Sequence, residues 1–193
     1  MRGRPKGVPA LQRTHLLQAA EQLLSHSPDD FSLRRVALQA GVTPPLAHYY
    51  FRNRDGLLRA LVNERAAPRI QALLIAAQER ASQPVPAVTR LMQRLTLLCA
   101  SDQFVRCCLL LPAGQPLRAD LRATLELLLQ AAQATGQLRA DLPALYLAET
   151  LLGICLFPFL DRGDDDLGER AAALVLQHVA LLQDGLRPRI HPA

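Results

Sequence analysis

Apolar residues along this chain recur at intervals of three and four, and the gaps between the recurrent stretches carry Pro, Gly, Asp or Ser. That pattern predicts helices throughout and almost nothing as strand. A first helix is expected from about Pro9 to Ser25, with Leu16, Ala19, Ala20, Leu23 and Leu24 on one face. A second, about Leu33 to Ala40, has Ser32 as its N-cap, Phe31 and Val36 at the positions of a hydrophobic staple, and Gly41 as C′ residue. Thr43 can cap a third helix that ends near Phe51. Pro44 suits its first position because that N–H would go unpaired anyway, and Pro45 still falls in the first turn. Periodicity resumes at Leu57, Leu58, Leu61 and Val62 and continues to about Ser82, with a bend expected at Pro68.

Further helices are expected at about 85–100, 103–111, 118–135, 142–160 and 165–185. The first of these presents Val88, Leu91, Met92, Leu95, Leu98 and Cys99 on one face. Helix 142–160 is apolar nearly all round, which requires burial on all sides or against another chain. Asp164–Asp166 place negative charge where the last helix begins, which suits its dipole better than it suggests a metal site.

The chain has 193 residues, half of them apolar and 20% charged, enough for one core or two small cores that share packing. Its charge is unevenly placed. Residues 1–65 hold ten basic and five acidic side chains, residues 66–193 twelve of each, so the whole net charge of +5 sits on the first third. A basic segment on a neutral, leucine-rich body suggests a polyanion-binding module joined to a partner domain. Met1–Thr14 is too polar for a secretory signal, and Leu142–Leu160 holds Glu149 and two prolines, which argues against a membrane span. Cys99, Cys107, Cys108 and Cys155 lie in helical apolar runs and fit a reducing cytoplasm.

The two short helices joined by Ala40-Gly41-Val42-Thr43 have the spacing of a helix-turn-helix, whose second helix can enter a major groove. The same spacing also fits an ordinary αα-corner. The local positive charge, the His48-Tyr49-Tyr50 cluster, and Arg52 and Arg54 just beyond favour the DNA-reading alternative. Arg2, Arg4 and Lys6 form a basic arm suited to a narrow minor groove.

SLRRVALQAGVTPPLAHYYFRNRDGLL resembles the N-terminal domain of TetR-type bacterial regulators. Their pattern runs S/T-x-x-x-I/V-A-x-x-A-G-V-S/T-x-x-x-L/I/V-Y-x-H/Y-F, then a basic residue and a leucine pair. Later, GQLRADLPALYLAETLLGICLF is similar to the family's dimerisation region. The resemblance implies an all-α fold in two parts. Residues 1–54 would be the arm and a three-helix DNA-binding domain, and residues 55–193 a helical effector-binding and dimerisation domain.

Carried across by position, the expected DNA-contacting set is Ser32, Arg34, Thr43, Pro44, Pro45, Leu46, His48, Tyr49, Tyr50 and Arg54, with the arm residues Arg2, Arg4 and Lys6. Arg34 would reach a base edge, most simply guanine. Thr43 would sit at the phosphate-attracting helix end, His48 and Tyr49 would face bases or sugar, and Tyr50 and Arg54 would hold phosphates. This chain has Ala47 where the family often has a larger aliphatic residue and His48 where it often has tyrosine. Pro44–Ala47 supply no side-chain donor, so readout is expected to lean on Arg34, His48 and apolar contact of Pro45 or Leu46 with thymine methyls.

A single helix-turn-helix makes few contacts, so a homodimer across two half-sites is expected, its interface built from Leu147, Leu151, Ile154, Leu174, Val175, Val179 and Leu182. Met92, Leu95, Cys99, Phe104, Cys108 and Leu125 are candidate walls of an effector cavity, or plain core. Arg90, Arg94 and Arg106 could anchor an acidic effector or simply form a solvated face. By resemblance, a small, largely apolar effector would tilt the Leu57–Ser82 helix and release a repressor from an inverted-repeat operator. Two alternatives stay open: a thiol sensor using Cys99, Cys107 and Cys108, and a helical adaptor binding another polyanion. No catalytic motif, metal-ligand spacing or cofactor loop is found.

Overall fold

The computed structural model describes residues 7–160 and, toward the C-terminus, 173–175, 177, 180 and 184–186. Among the described residues every regular element is helical. Helices α1 (Gly7–His26), α2 (Leu33–Gln39) and α3 (Pro44–Phe51) form a head, and α4 (Arg54–Leu61) and α5 (Ala67–Gln78) lead away from it. The body consists of α6 (Pro84–Ser101), α7 (Gln103–Leu110), α8 (Gln115–Ala134) and α9 (Ala144–Leu156). No helix among the described residues is long and apolar enough to cross a membrane. The arm, Asp164–Asp166 and most of the expected 165–185 helix, with Val179 and Leu182, lie outside the described residues.

Local chemistry sets the head's boundaries. Ser32 Oγ accepts the Arg35 N–H at 3.3 Å as N-cap of α2, and Phe31 and Val36 are both buried in the core beside it. Gly41 holds φ +66°, its N–H bonds the Leu38 carbonyl at 3.1 Å, and the Val42 N–H bonds Ala37 at 2.9 Å. These are the two bonds of a Schellman motif, and the positive φ explains the glycine.

The bend expected at Pro68 takes a different form. Val62–Ala66 is a π-helical turn, in which the Ala67 N–H reaches back five residues to the Val62 carbonyl. Proline has no N–H to give and its ring crowds the carbonyl four residues earlier, here that of Glu64. Widening the helix by one residue resolves both conflicts without a sharp kink.

In the body, α8 packs against both α6 and α9. Leu91, Met92 and Leu95 of α6, Leu121, Leu125 and Leu129 of α8, and Leu109 of α7 are fully buried there. Each such leucine contributes about 1.5–3 kcal/mol against about 0.2–0.5 kcal/mol for a surface ion pair on a helix, so the leucine layers hold the body together. One buried polar pair crosses it: Thr96 Oγ1 lies 3.1 Å from Cys155 Sγ and donates to the Met92 carbonyl at 2.8 Å.

Charged side chains tie head to body. Arg13 of α1 makes a bidentate pair with Glu64 on the π turn and lies over the Phe51 ring. Arg69 of α5 reaches Glu21 of α1 at 2.6 Å and Asp102 at 2.9 Å, and lies over the ring of Phe104. Asp102 is at the same time the N-cap of α7, accepting the Val105 N–H at 3.1 Å. Burial opposes the charge on Arg69, but its hydrogen bond to Glu21 and the field of Asp102 outweigh it and raise its pKa. One guanidinium therefore joins α1, α5 and the start of α7.

Candidate nucleic-acid interface

Helix α3 buries Ala47 and Phe51 against the head and turns Pro45, His48 and Tyr49 outward, with Tyr49 79% exposed. Pro44, Leu46 and Tyr50 are half-buried. The edge rings of Tyr49 and Tyr50 meet in a T-shaped contact, 5.4 Å between centroids. Of Pro45 and Leu46, the two residues expected to offer apolar contact to thymine methyls, Pro45 is thus the exposed one.

The N-terminus of α3 is unusual. Thr43 is its N-cap by position, but its hydroxyl accepts no capping bond, and Pro44 and Pro45 bring no N–H. The Leu46 N–H is bonded to the Thr43 carbonyl at 3.0 Å. A helix end normally offers several unpaired N–H groups to a phosphate. Here the first two N–H groups are absent and the third is already paired.

The neighbouring arginines divide by role. Arg35 pairs with Asp30 at 2.6 Å, whereas Arg34 is exposed and makes no ion pair among the described residues. Arg54 is exposed, yet its Nε donates to the Phe31 carbonyl at 3.3 Å and its guanidinium lies over the Phe31 ring, so part of its bonding capacity serves the fold. Ser32 is likewise engaged as the α2 cap.

Sequence reasoning left Arg52 and Gly56 out of the contact set. Arg52 follows α3 with φ 63° and ψ −54°, and the Asn53 N–H bonds the Phe51 carbonyl across it at 2.7 Å. This is a strained γ-turn centred on a non-glycine residue. Asn53 caps α4 by accepting the Gly56 N–H at 2.8 Å. A Cβ on Gly56 would fall well inside contact with the Phe51 carbonyl oxygen. Asn followed three residues later by Gly was the available sequence signal.

In the body, Met92, Leu95, Cys99, Phe104, Cys108 and Leu125 are brought together in one buried cluster. None of them lines either of the two clefts described, which lie along α9. One cleft, about 310 Å³, runs between α8 and α9 and carries Arg118, Arg122 and Glu149 over Leu152 and Leu156. The other, about 510 Å³, is apolar, bordered by Thr150, Gly153, Ile154, Phe157, Pro158, Leu174 and Val175. Arg106 is occupied by the Cys99 carbonyl at 3.0 Å and the Phe159 ring, while Arg90 and Arg94 are exposed on α6.

Burial pushes the Cys99 thiol up to about 12 and the Cys155 thiol up to about 11, and drives Cys108 up as well. Cys107 is half-buried.

The expected dimer residues separate. Leu151 is 4% exposed and Val175 is buried within the chain, Leu147 and Ile154 are half-buried, and Leu174 is exposed. Helix α9 presents a different apolar strip, Leu145, Tyr146 and Gly153, continued by Phe157 at 74% exposure and Leu160.

Residues 16–61 match the family model of bacterial regulatory proteins of the tetR family. No curated protein matches the sequence. Among solved structures, a TetR-family transcriptional regulator from Pectobacterium atrosepticum is 19% identical over 97% of this chain and 100% of its own, with a TM-score of 0.71. SmeT, the repressor of the Stenotrophomonas maltophilia multidrug efflux pump SmeDEF, is 22% identical over 93% of this chain and 97% of its own, TM-score 0.67. A gamma-butyrolactone receptor is 19% identical over 92% of this chain and 99% of its own, TM-score 0.62. The match to the family model thus spans α1 to α4, the helix-turn-helix and the helix that follows it, and the remainder shares the helical fold of these solved structures.

Proposed function

We propose that this chain is a ligand-responsive repressor that binds an inverted-repeat operator as a homodimer and leaves it when a small, largely apolar effector binds. Residues 1–54 are the DNA-binding part and residues 55–193 the effector-binding and dimerising part. The observation that carries the reading is the outward face of α3, where His48 and Tyr49 stand exposed beside Arg34 and Thr43 on a helix-turn-helix. Arg34, His48, Pro45 and Tyr49 would meet base edges and sugars. Thr43, Tyr50, Arg54 and the basic arm would meet phosphates.

The apolar strip from Leu145 to Leu160, with Leu174, supports dimerisation: water-exposed aromatic and leucine side chains in one band mark an interface. For the effector, the support is the apolar character of the core cluster around Met92, Leu95 and Leu125 and of the larger cleft on α9. One related structure was solved as a SmeT–triclosan complex, an apolar ligand in the same fold. The thiol-sensing alternative loses support, since two of its three cysteines, Cys99 and Cys108, are buried and held protonated.

The test is fluorescence anisotropy on DNA from upstream of the chain's own gene, against scrambled DNA, at two salt concentrations, with random-pool selection if that DNA is not bound. Sequence-selective binding that survives physiological salt is expected, and Arg34→Ala should cost about 1–3 kcal/mol and relax preference at one base position. Equal binding to all DNA that vanishes with salt points instead to an adaptor for polyanions.

A further inference from the structure

The end of α3 is arranged around one imidazole. His48 Nδ1 lies 2.9 Å from the Arg52 carbonyl oxygen, and the Arg52 N–H returns to the His48 carbonyl at 2.8 Å. A carbonyl oxygen only accepts, so the proton of that bond sits on Nδ1. The neutral ring then has a bare Nε2, an acceptor, on the exposed face of the helix. No hydrogen bond engages Nε2 among the described residues. The carbonyl that fixes this tautomer is aimed by the strained γ-turn at Arg52, and that turn fits because Gly56 has no Cβ to meet the Phe51 carbonyl. Capping a helix end does not require a positive φ on an arginine, so the strain accompanies the orientation of the ring rather than the termination of the helix.

We propose that His48 is a specificity-determining residue whose Nε2 accepts a hydrogen bond from an exocyclic amine on a base edge in the major groove. The inference rests on the operator-binding reading above. Adenine N6 and cytosine N4 are the amines available there, whereas guanine O6 and N7 and thymine O4 are acceptors and would face another acceptor. The other outward groups of α3 cannot make this distinction: Pro45 has no polar side-chain atom, and the Tyr49 hydroxyl both donates and accepts.

The test uses the full chain and DNA selected from a random pool. Nitrogen-15 spectra of the histidine rings in the free protein should show His48 protonated at Nδ1. On the selected operator, an analogue lacking the exocyclic amine at the contacted base should weaken wild-type binding roughly three- to tenfold and leave His48→Phe binding unchanged. Changing adenine or cytosine at that base tells the two amines apart. If the base is adenine, a 7-deaza analogue, which removes only the N7 acceptor, should have no effect. Arg52→Gly keeps the carbonyl and tolerates the positive φ, so the base preference should survive it even where overall affinity falls. An Nε2-protonated ring, a loss on 7-deaza substitution, or an amine effect that persists in His48→Phe overturns the proposal. A preferred sequence read identically by wild type and His48→Phe overturns it while leaving the operator reading intact. Failure to select any sequence overturns both.

Discussion

Arg52 is, among the described residues, the non-glycine residue held at positive φ, and its neighbours explain how the chain tolerates it. The Phe51 carbonyl enters the space a Cβ would occupy on Gly56, and Asn53 closes the turn by capping α4. Gly56→Ala should therefore destabilise the protein by about 2–3 kcal/mol, because the clash is with backbone that cannot swing away. A urea midpoint shifted by less than half of that would show that the turn is softer than its geometry indicates. The cysteines make a second residue-scale prediction. Burial holds Cys99 and Cys155 as thiols far above neutrality and drives Cys108 the same way. At pH 8, a thiol reagent should leave these three untouched in the native protein and modify all of them after unfolding. Fast native modification of Cys99 or Cys108 would restore the redox reading. The helix caps at Ser32 and Gly41 were legible in the sequence because a cap involves residues within a few positions. The γ-turn was not, since it depends on where the Phe51 carbonyl lands relative to the next helix.

Among the elements, the joint between head and body is where sequence reading stopped short. Proline at position 68 signalled a disturbance, and the structure resolves it as a π turn that carries Glu64 toward Arg13. The hydrogen bond from Arg13 holds the Glu64 carboxyl below its ordinary pKa. A lowered carboxylate pKa contributes stability that is complete above the unfolded glutamate value of about 4.3 and is lost as pH falls through the lower folded value. Glu64→Gln should accordingly lower stability at neutral pH by the modest amount an exposed pair contributes, and flatten the acid limb below about pH 4.3 by that same amount. An acid limb identical to wild type would show the pair to be absent in solution. Nothing in the spacing of Arg13, Glu21, Arg69 and Asp102 could have announced this network, because their contacts span from 33 to 51 residues of chain.

For the whole molecule, the question is which apolar surface a second copy would cover. Leu151 and Leu152 are 4% and 7% exposed, packed inside the chain, so a charge placed at either should give unfolded or insoluble protein rather than clean monomers. Gly153 sits between the two clefts of α9, and a Cβ added there meets nothing within 4 Å. Gly153→Arg should thus leave the fold of each chain intact while shifting sedimentation from dimer to monomer and abolishing tight operator binding. A stable, operator-competent dimer from that variant would place the interface elsewhere than the Tyr146–Phe157 strip.

The sequence by itself determined the all-α class, the positions of most helices among the described residues, and the helix-turn-helix within the stretch that matches the tetR family model. Those follow from periodicity, capping and turn chemistry, which act over a few residues and so are written in neighbouring positions. Tertiary structure decided which face of α9 remains outside, that Arg54 shares itself with Phe31 while Arg34 stays exposed, and that one arginine joins the head to the body. Helix α9 was apolar on nearly every side, and a pattern without a polar face cannot say which side packs inward. That choice belongs to α6 and α8, which supply the leucine layers against which Leu151, Leu152 and Cys155 are buried.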